Sequence, residues 1–442
     1  MQNNKEIIVN IEKQQNKEME DSVLQYTKSF LNSNKCSLME KCFSSIINND
    51  NDRIIKESID TIDDLEFDSL FPLVSNVILT ANKIECDSLN YFFSKQENTY
   101  LKRRKHNLPV IPNHNVGAAD AYICKLGSFY LLHINAFDTG SNTPGGSTDI
   151  VRFISRHPLL KPNTIISFGI CYGRDPSKQN IGDVIIPQKL YPWSIGQKII
   201  DKTLIIKNDD FNLRLLDIFN NNRLYSALRD FCNGDDGRNI RGSIQLLSEK
   251  DLQEFTVKST MGNMSTGEAV VSSSDAKRII IEATKNEKEL GGEMEGYGIA
   301  KECVYFANIP CIMIKAICDW GVMKNIEEVL QENGVIYPER LKDKLQAYAA
   351  FCAGIVLFKL IEEEKDYFYW HSIISTIKKS IPGENFLNGD TCATKRAILK
   401  VLKSFFGNNT YAEIVLDTLV KKSYIKPSLC NQDEFLINFK MR

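Results

Sequence analysis

TIISFGICYGRDPSKQNIGDVIIP, residues 164–187, decides the fold. Two short β-branched apolar runs, TIISFGI and DVIIP, flank a polar segment rich in Gly and Asp. Runs of this length between turn residues read as buried strands. The same texture begins upstream at VILTA (77–81) and returns at CIMIKAI (311–317). AYICKL (121–126) and FYLLHINAF (129–137) alternate as further strands, whereas DSLNYFF (87–93) and DIVRFISRH (149–157) carry helical spacing. Between them, LKRRKHNLPVIPNHN (101–115) reads as a basic surface loop and TGSNTPGGSTD (139–149) as a turn cluster. Strands and helices in alternation predict an α/β fold, a central mixed sheet flanked by helices. QAYAAFCAGIVLFKLI (346–361) closes the block as a long apolar helix.

The flanks differ. Residues 1–72 are rich in Asn, Lys, Glu and Asp, with helix-period apolar patches such as VLQYTKSFL (23–31), and predict a helical N-terminal region without catalytic features. Residues 73–362 form the α/β domain. Residues 363–442 predict a small basic C-terminal domain: two helices, KRAILKVLKSFF and YAEIVLDTLVKK, then a hairpin, compatible with a winged-helix-like unit. Seven basic residues stand there between Lys395 and Lys426 against Glu413 and Asp417, a face suited to a regulatory protein or, less well, a nucleic acid.

Over 442 residues the formal charge is only −2, which excludes a chain that coats nucleic acid along its whole length. No apolar stretch reaches the ~18 residues of a membrane span, and the first residues lack the apolar centre of a signal peptide. A cytoplasmic protein without membrane partners is expected. The twelve cysteines make no CxxC pair and the five histidines no HxxxH pair, so neither a metal site nor a disulfide framework is expected.

Chemistry concentrates where strands of the α/β block end, the place where ligands gather in open sheets. In GGEMEGYGIAKEC, Glu293 and Glu295 flank Met294 just before a helix. A carboxylate there can accept both hydroxyls of a ribose; a helix-start acid favoured by the macrodipole is the plainer alternative. In CIMIKAICDWG, an apolar strand delivers Asp319 at its mouth, suited to a general acid. VILTANKIEC delivers Glu85 just past the first strand, and Gly169 and Gly173 allow close backbone approach to a ligand.

In order, these segments resemble the nucleoside phosphorylase and nucleosidase superfamily, particularly its methylthioadenosine/adenosylhomocysteine nucleosidase branch. The pattern reads here as TANKIE, GICYG…IGD, STGEAVV, EMEG and CD, over about residues 77–361. The closing WGVMKN…YAAFCAGIVLFKLI is similar to nucleosidase-like domains fused to other modules in bacterial antiviral systems. The resemblance implies a purine N-glycosidase without cofactor or metal, with dimerisation as its default. It implies that Asp319 protonates adenine, that Glu85 activates water, that Glu295 and Met294 bind ribose with Glu293 in support, and that Val270 and Val271 line the base. Ser167 and Ile170 stand where phosphorolytic members make phosphate contacts, and Gly169 is expected to contact the substrate; Glu85 replaces their arginine and Ile170 offers no hydroxyl, which favours hydrolysis. Cys318 and Val270 depart from the usual serine and aromatic. The flanking modules suggest a controlled activity on ATP or a related adenine nucleotide, with Arg174, Lys83 and the TGSNTPGGS loop as expected phosphate ligands. The alternatives are a phosphate-dependent purine nucleoside phosphorylase and a non-catalytic nucleotide-sensing module; a DNA-binding regulator with a vestigial sugar site rests on the basic C-terminal region alone.

Overall fold

The computed structural model describes residues 2–47, 59–95, 100–103, 119–126, 129–136, 146–157, 159–160, 162–193, 197–200, 203–206, 213–215, 223–246, 252–267, 271–284, 289–307, 309–322, 325–364, 368, 373, 377, 391–406, 409–421, 425–427 and 434–437. The expected base-lining Val270 and phosphate-loop residues 139–145 lie outside them.

The chain opens with helices α1 (Gln2–Leu31) and α2 (Asn34–Ile47) and the short strand β1 (Asp60–Ile62). Strand β2 (Val74–Thr80) runs into α3 (Lys83–Ser94). Next come β3 (Tyr100–Arg103), β4 (Ala119–Leu126), β5 (Phe129–Ala136), α4 (Ser147–Arg156), β6 (Thr164–Gly173) and β7 (Val184–Pro192). The second half adds β8 (Leu213–Arg214), β9 (Arg238–Gln245), β10 (Leu252–Thr266), α5 (Ser274–Thr284), β11 (Glu289–Glu293), α6 (Gly296–Glu302), β12 (Cys311–Asp319), α7 (Ile326–Glu332) and α8 (Leu341–Glu363).

These strands form one mixed sheet in the order β1-β3-β4-β5-β2-β6-β11-β10-β7-β8, with β9 on β10 and β12 on both β6 and β7. The last relation closes a ring, because β6, β11, β10, β7 and β12 each pair with the next and β12 returns to β6. Strands β2, β6 and β12 run parallel, so their carboxyl ends open on the same side. Their residues are buried almost without exception, as the continuous apolar runs require.

The core does not stop at residue 73. Strand β1 extends the sheet edge on β3, and Val23, Phe30, Met39, Cys42, Phe43 and Ile46 of the first two helices join the same apolar cluster as the sheet. Helix α8 is long and apolar enough to cross a membrane by composition, but it packs on α2, α3 and β12 and is buried on most faces. A second apolar cluster lies between Ile373 and Phe435. It is built by β13 (Thr391–Thr394), α9 (Lys395–Phe406), α10 (Asn409–Lys421), β14 (Ile425–Pro427) and β15 (Glu434–Ile437). The three strands form their own antiparallel sheet, so helix, helix and hairpin follow one another as expected.

Candidate active site

A cavity of about 520 Å³ opens at the carboxyl ends of β2, β6 and β12. Glu85, Glu293, Met294, Glu295, Asp319, Ile170 and Val271 all line it. Residues some 230 positions apart in sequence therefore meet, and the strand register explains how.

Glu85 sits in the first turn of α3. Asn82 caps that helix, its side chain accepting from the Glu85 N–H, and Glu85 completes a capping box. Its Oε2 accepts from the N–H groups of Ala81 (2.8 Å) and Asn82 (3.2 Å), and its Oε1 from Ile170 N–H (2.9 Å). Three backbone donors thus fix one buried carboxylate against β6. Gly169 makes room for it: a Cβ there would lie 2.1 Å from Glu85 Oε1. Gly169, expected to contact the substrate, admits the glutamate and is not among the residues that line the cavity. Ile170 lines the cavity and orients Glu85 through its N–H.

Opposite Gly169 on the neighbouring strand is Lys315. Sequence reasoning passed over this residue, although a lone cation inside CIMIKAIC is itself a signal: a lysine in a buried strand needs anions around it. Its side chain is 1% exposed, and its Nζ lies 3.4 Å from Glu295 Oε2 and 3.6 Å from Glu293 Oε2. Burial by itself lowers the Lys315 pKa; the carboxylates of Glu295, Glu293 and Glu85 outweigh it and hold the pKa above the usual lysine range. One cation cannot neutralise three buried glutamates. Burial pushes the Glu295 carboxyl up to about 7, Lys315 opposes this, and Glu293 and Glu85 add to it. Among the described residues no three His, Cys, Asp or Glu side chains are grouped to hold a metal.

Glu293 ends β11. Its carboxylate accepts from the N–H groups of Glu295 (2.9 Å) and Gly296 (2.7 Å), tying the strand end to the start of α6. Glu293 stabilises the helix start, while Glu295 makes no capping bond and faces the cavity.

Asp319 ends β12 and is exposed at the cavity mouth. Its Oδ1 accepts from Gly321 N–H (2.7 Å) and its Oδ2 from the Cys318 thiol (3.3 Å). Burial drives the Cys318 pKa well above the ordinary thiol value, so this group remains a donor. Beneath, α5 sends the buried Lys277 to the carbonyl oxygens of Gly173 (3.0 Å) and Trp320. It joins the ends of β6 and β12, and burial lowers its pKa to about 8.

The two described residues expected as phosphate ligands differ from each other. Arg174 turns away from the cavity: its Nη1 donates to the Glu289 carbonyl (3.0 Å), beside the Tyr172–Ser265–Glu289 hydrogen-bond network. Lys83 does line the cavity, with its ammonium also paired to Asp87. Lys342, not foreseen, lines the cavity as well. The N-terminal helix, expected to carry no catalytic features, contributes Val23, Tyr26, Thr27 and Phe30 to the wall.

No family model matches the chain. It is 30% identical over 177 residues to a death domain-containing ATP nucleosidase of Amphimedon queenslandica, a match covering 38% of this chain and 30% of the relative. Over those residues the chain is similar to that nucleosidase. It spans less than a third of that relative's length. Among solved structures it is similar to the futalosine hydrolase of Helicobacter pylori (TM-score 0.42, 13% identity, 66% of this chain and 98% of the other). It is also similar to the S-adenosylhomocysteine nucleosidase of Streptococcus pyogenes (TM-score 0.40, 18% identity, 66% and 97%).

Proposed function

We propose that the chain hydrolyses the N-glycosidic bond of an adenine nucleoside or nucleotide and releases the free base. The observation that carries this reading is the convergence of Glu85, Glu295 and Asp319 on one cavity, with Lys315 behind the glutamates. As the C1′–N9 bond breaks, its electrons go to the base and C1′ gains positive charge. Ionised Glu295, facing the ribose hydroxyls, stabilises that charge. Asp319, at the mouth, gives a proton to the base, a poor leaving group without it. Water held on the Glu85 carboxylate attacks C1′ and leaves its proton there.

Hydrolysis is favoured over phosphorolysis by the lining itself. Among the described residues around the cavity there is no arginine, the natural bidentate clamp for phosphate. A purely sensing module would not need a buried carboxylate held by three backbone donors where water must be activated. ATP is the substrate we favour, supported by the relative's name and by Lys83 and Lys342 at the cavity. The same proposal places the protein in the cytoplasm, where its ten described free cysteines fit a reducing compartment, as a dimeric effector of antiviral defence whose basic C-terminal unit meets a regulatory protein or nucleic acid. The proposed units are residues 73–362, whose core residues 1–72 join, and residues 363–442. Chromatography of products from adenosine, methylthioadenosine, AMP and ATP, with and without phosphate, tests it: free adenine from a nucleotide in phosphate-free buffer is expected. Cleavage of methylthioadenosine alone would exclude the nucleotide substrate, and ribose-1-phosphate would exclude hydrolysis.

A further inference from the structure

Helix α1 meets the cavity with a single stripe, Val23, Tyr26, Thr27 and Phe30, the i, i+3, i+4, i+7 face of a helix. This stripe is anchored on both sides of the acid. On one side the Tyr26 ring stands edge-on to Trp320, the residue after Asp319, with centroids 4.9 Å apart and planes at 77°. Its hydroxyl accepts from Ile181 N–H at 2.8 Å, which fixes the ring. On the other side α1 is clipped to α5, which begins three residues after the cavity-lining Val271: Asn16 donates to Asp275 (2.7 Å), Ser274 to Glu20 (2.8 Å), and Arg278 pairs with Glu12 (3.3 Å). Helix α1 thus lines the cavity with Tyr26 beside Trp320, while its preceding turns rest on α5. The described lining offers four aromatic side chains, Tyr26, Phe30, Tyr172 and Trp320. Tyr172 is committed to Ser265 and Glu289 beneath, and Phe30 lies against Tyr348.

We propose that Tyr26, contributed by the N-terminal helix, is a ligand-contacting specificity residue that supplies the aromatic surface against which the planar base packs, so that α1 is part of the active site. The proposal rests on the adenine-releasing reading above and adds to it the element that selects a flat heterocycle over a bare sugar. Base–aromatic packing is sequence-tolerant and sizeable, so replacing the ring should weaken adenine binding about tenfold or more.

The test uses the full chain and free adenine as the probe, with affinity read by calorimetry and kcat and KM by adenine release from ATP. Tyr26→Leu should raise the adenine Kd about tenfold or more at an unchanged melting temperature, and Tyr26→Phe, which keeps the ring, should recover most of that loss. Should the leucine variant melt early, Tyr26→Met, similar in volume and adaptable in shape, makes the same comparison. An adenine Kd for Leu or Met within twofold of wild type would overturn the role of Tyr26 while leaving the nucleosidase reading intact. A wild-type protein that neither binds adenine nor releases it would overturn both, and the wild-type measurement alone distinguishes the two failures.

Discussion

At the scale of single residues, each carboxyl has a separate task, and each task has its own signature. Asp319→Asn keeps shape and removes the proton donor. Base release should fall roughly 10²-fold or more, as for other general acids, with the melting temperature held. Gly169→Ala should be nearly as damaging by another route, because the new Cβ meets Glu85 Oε1 at 2.1 Å and displaces the carboxylate from its three donors. A variant structure with Glu85 unmoved would refute that. Glu295 gives a pH signature. Its pKa is raised from 4.5 to about 7, so the proton is held until near neutrality and the carboxylate grows as pH rises. The kcat/KM profile should therefore climb through about pH 7, and Glu295→Gln should lose that limb. Stability has the opposite sign: a raised folded pKa favours the fold at low pH, and that contribution is lost as pH rises through about 7. Glu85 and Asp319 were legible in sequence because each stands where an apolar run breaks, and Glu293 and Glu295 because EMEG stands just before a helix. Arg174 was misplaced because its partner, the Glu289 carbonyl, lies 115 positions away and leaves no mark near GICYG.

At the scale of elements, the strand β12 carries two opposite demands, an apolar interior and a buried ammonium. Lys315→Met would leave Glu293 and Glu295 without their cation. Removing one partner of a buried ion pair costs about 3–5 kcal/mol, so denaturant unfolding of this variant should show a loss of that order; an unchanged midpoint would mean that Lys315 is not the counterion. The strand itself was evident from its β-branched run, and so were β2, β6, β7 and the helices α3, α4 and α8. The long strand β10 and its partner β9 were not, since their burial alternates and half the side chains are polar. Helix α1 was visible as a helix but its function was not. An apolar stripe such as Val23, Tyr26 and Phe30 announces a buried face and says nothing about what lies beneath it.

At the scale of the whole molecule, every described residue that lines the cavity lies between Val23 and Gln346, whereas Ile373 to Phe435 build a second core. A chain ending at residue 370 should therefore cleave substrate within a few-fold of the full protein, while removal of residues 1–31 should abolish activity by opening the cavity wall; the reverse ranking would contradict the assignment of α1 to the site. The sheet class and the helix–helix–hairpin end could be predicted because periodicity is local, whereas the union of α1 and α2 with the main core depends on long-range packing. The central claim is tested most directly by the products of the full-length protein on ATP in phosphate buffer. Free adenine is expected, with a sugar that carries no phosphate at C1′, at a rate independent of phosphate and reduced at least about 10²-fold in Asp319→Asn. Phosphate-dependent formation of a sugar 1-phosphate, or unaltered adenine release by Asp319→Asn, would contradict it.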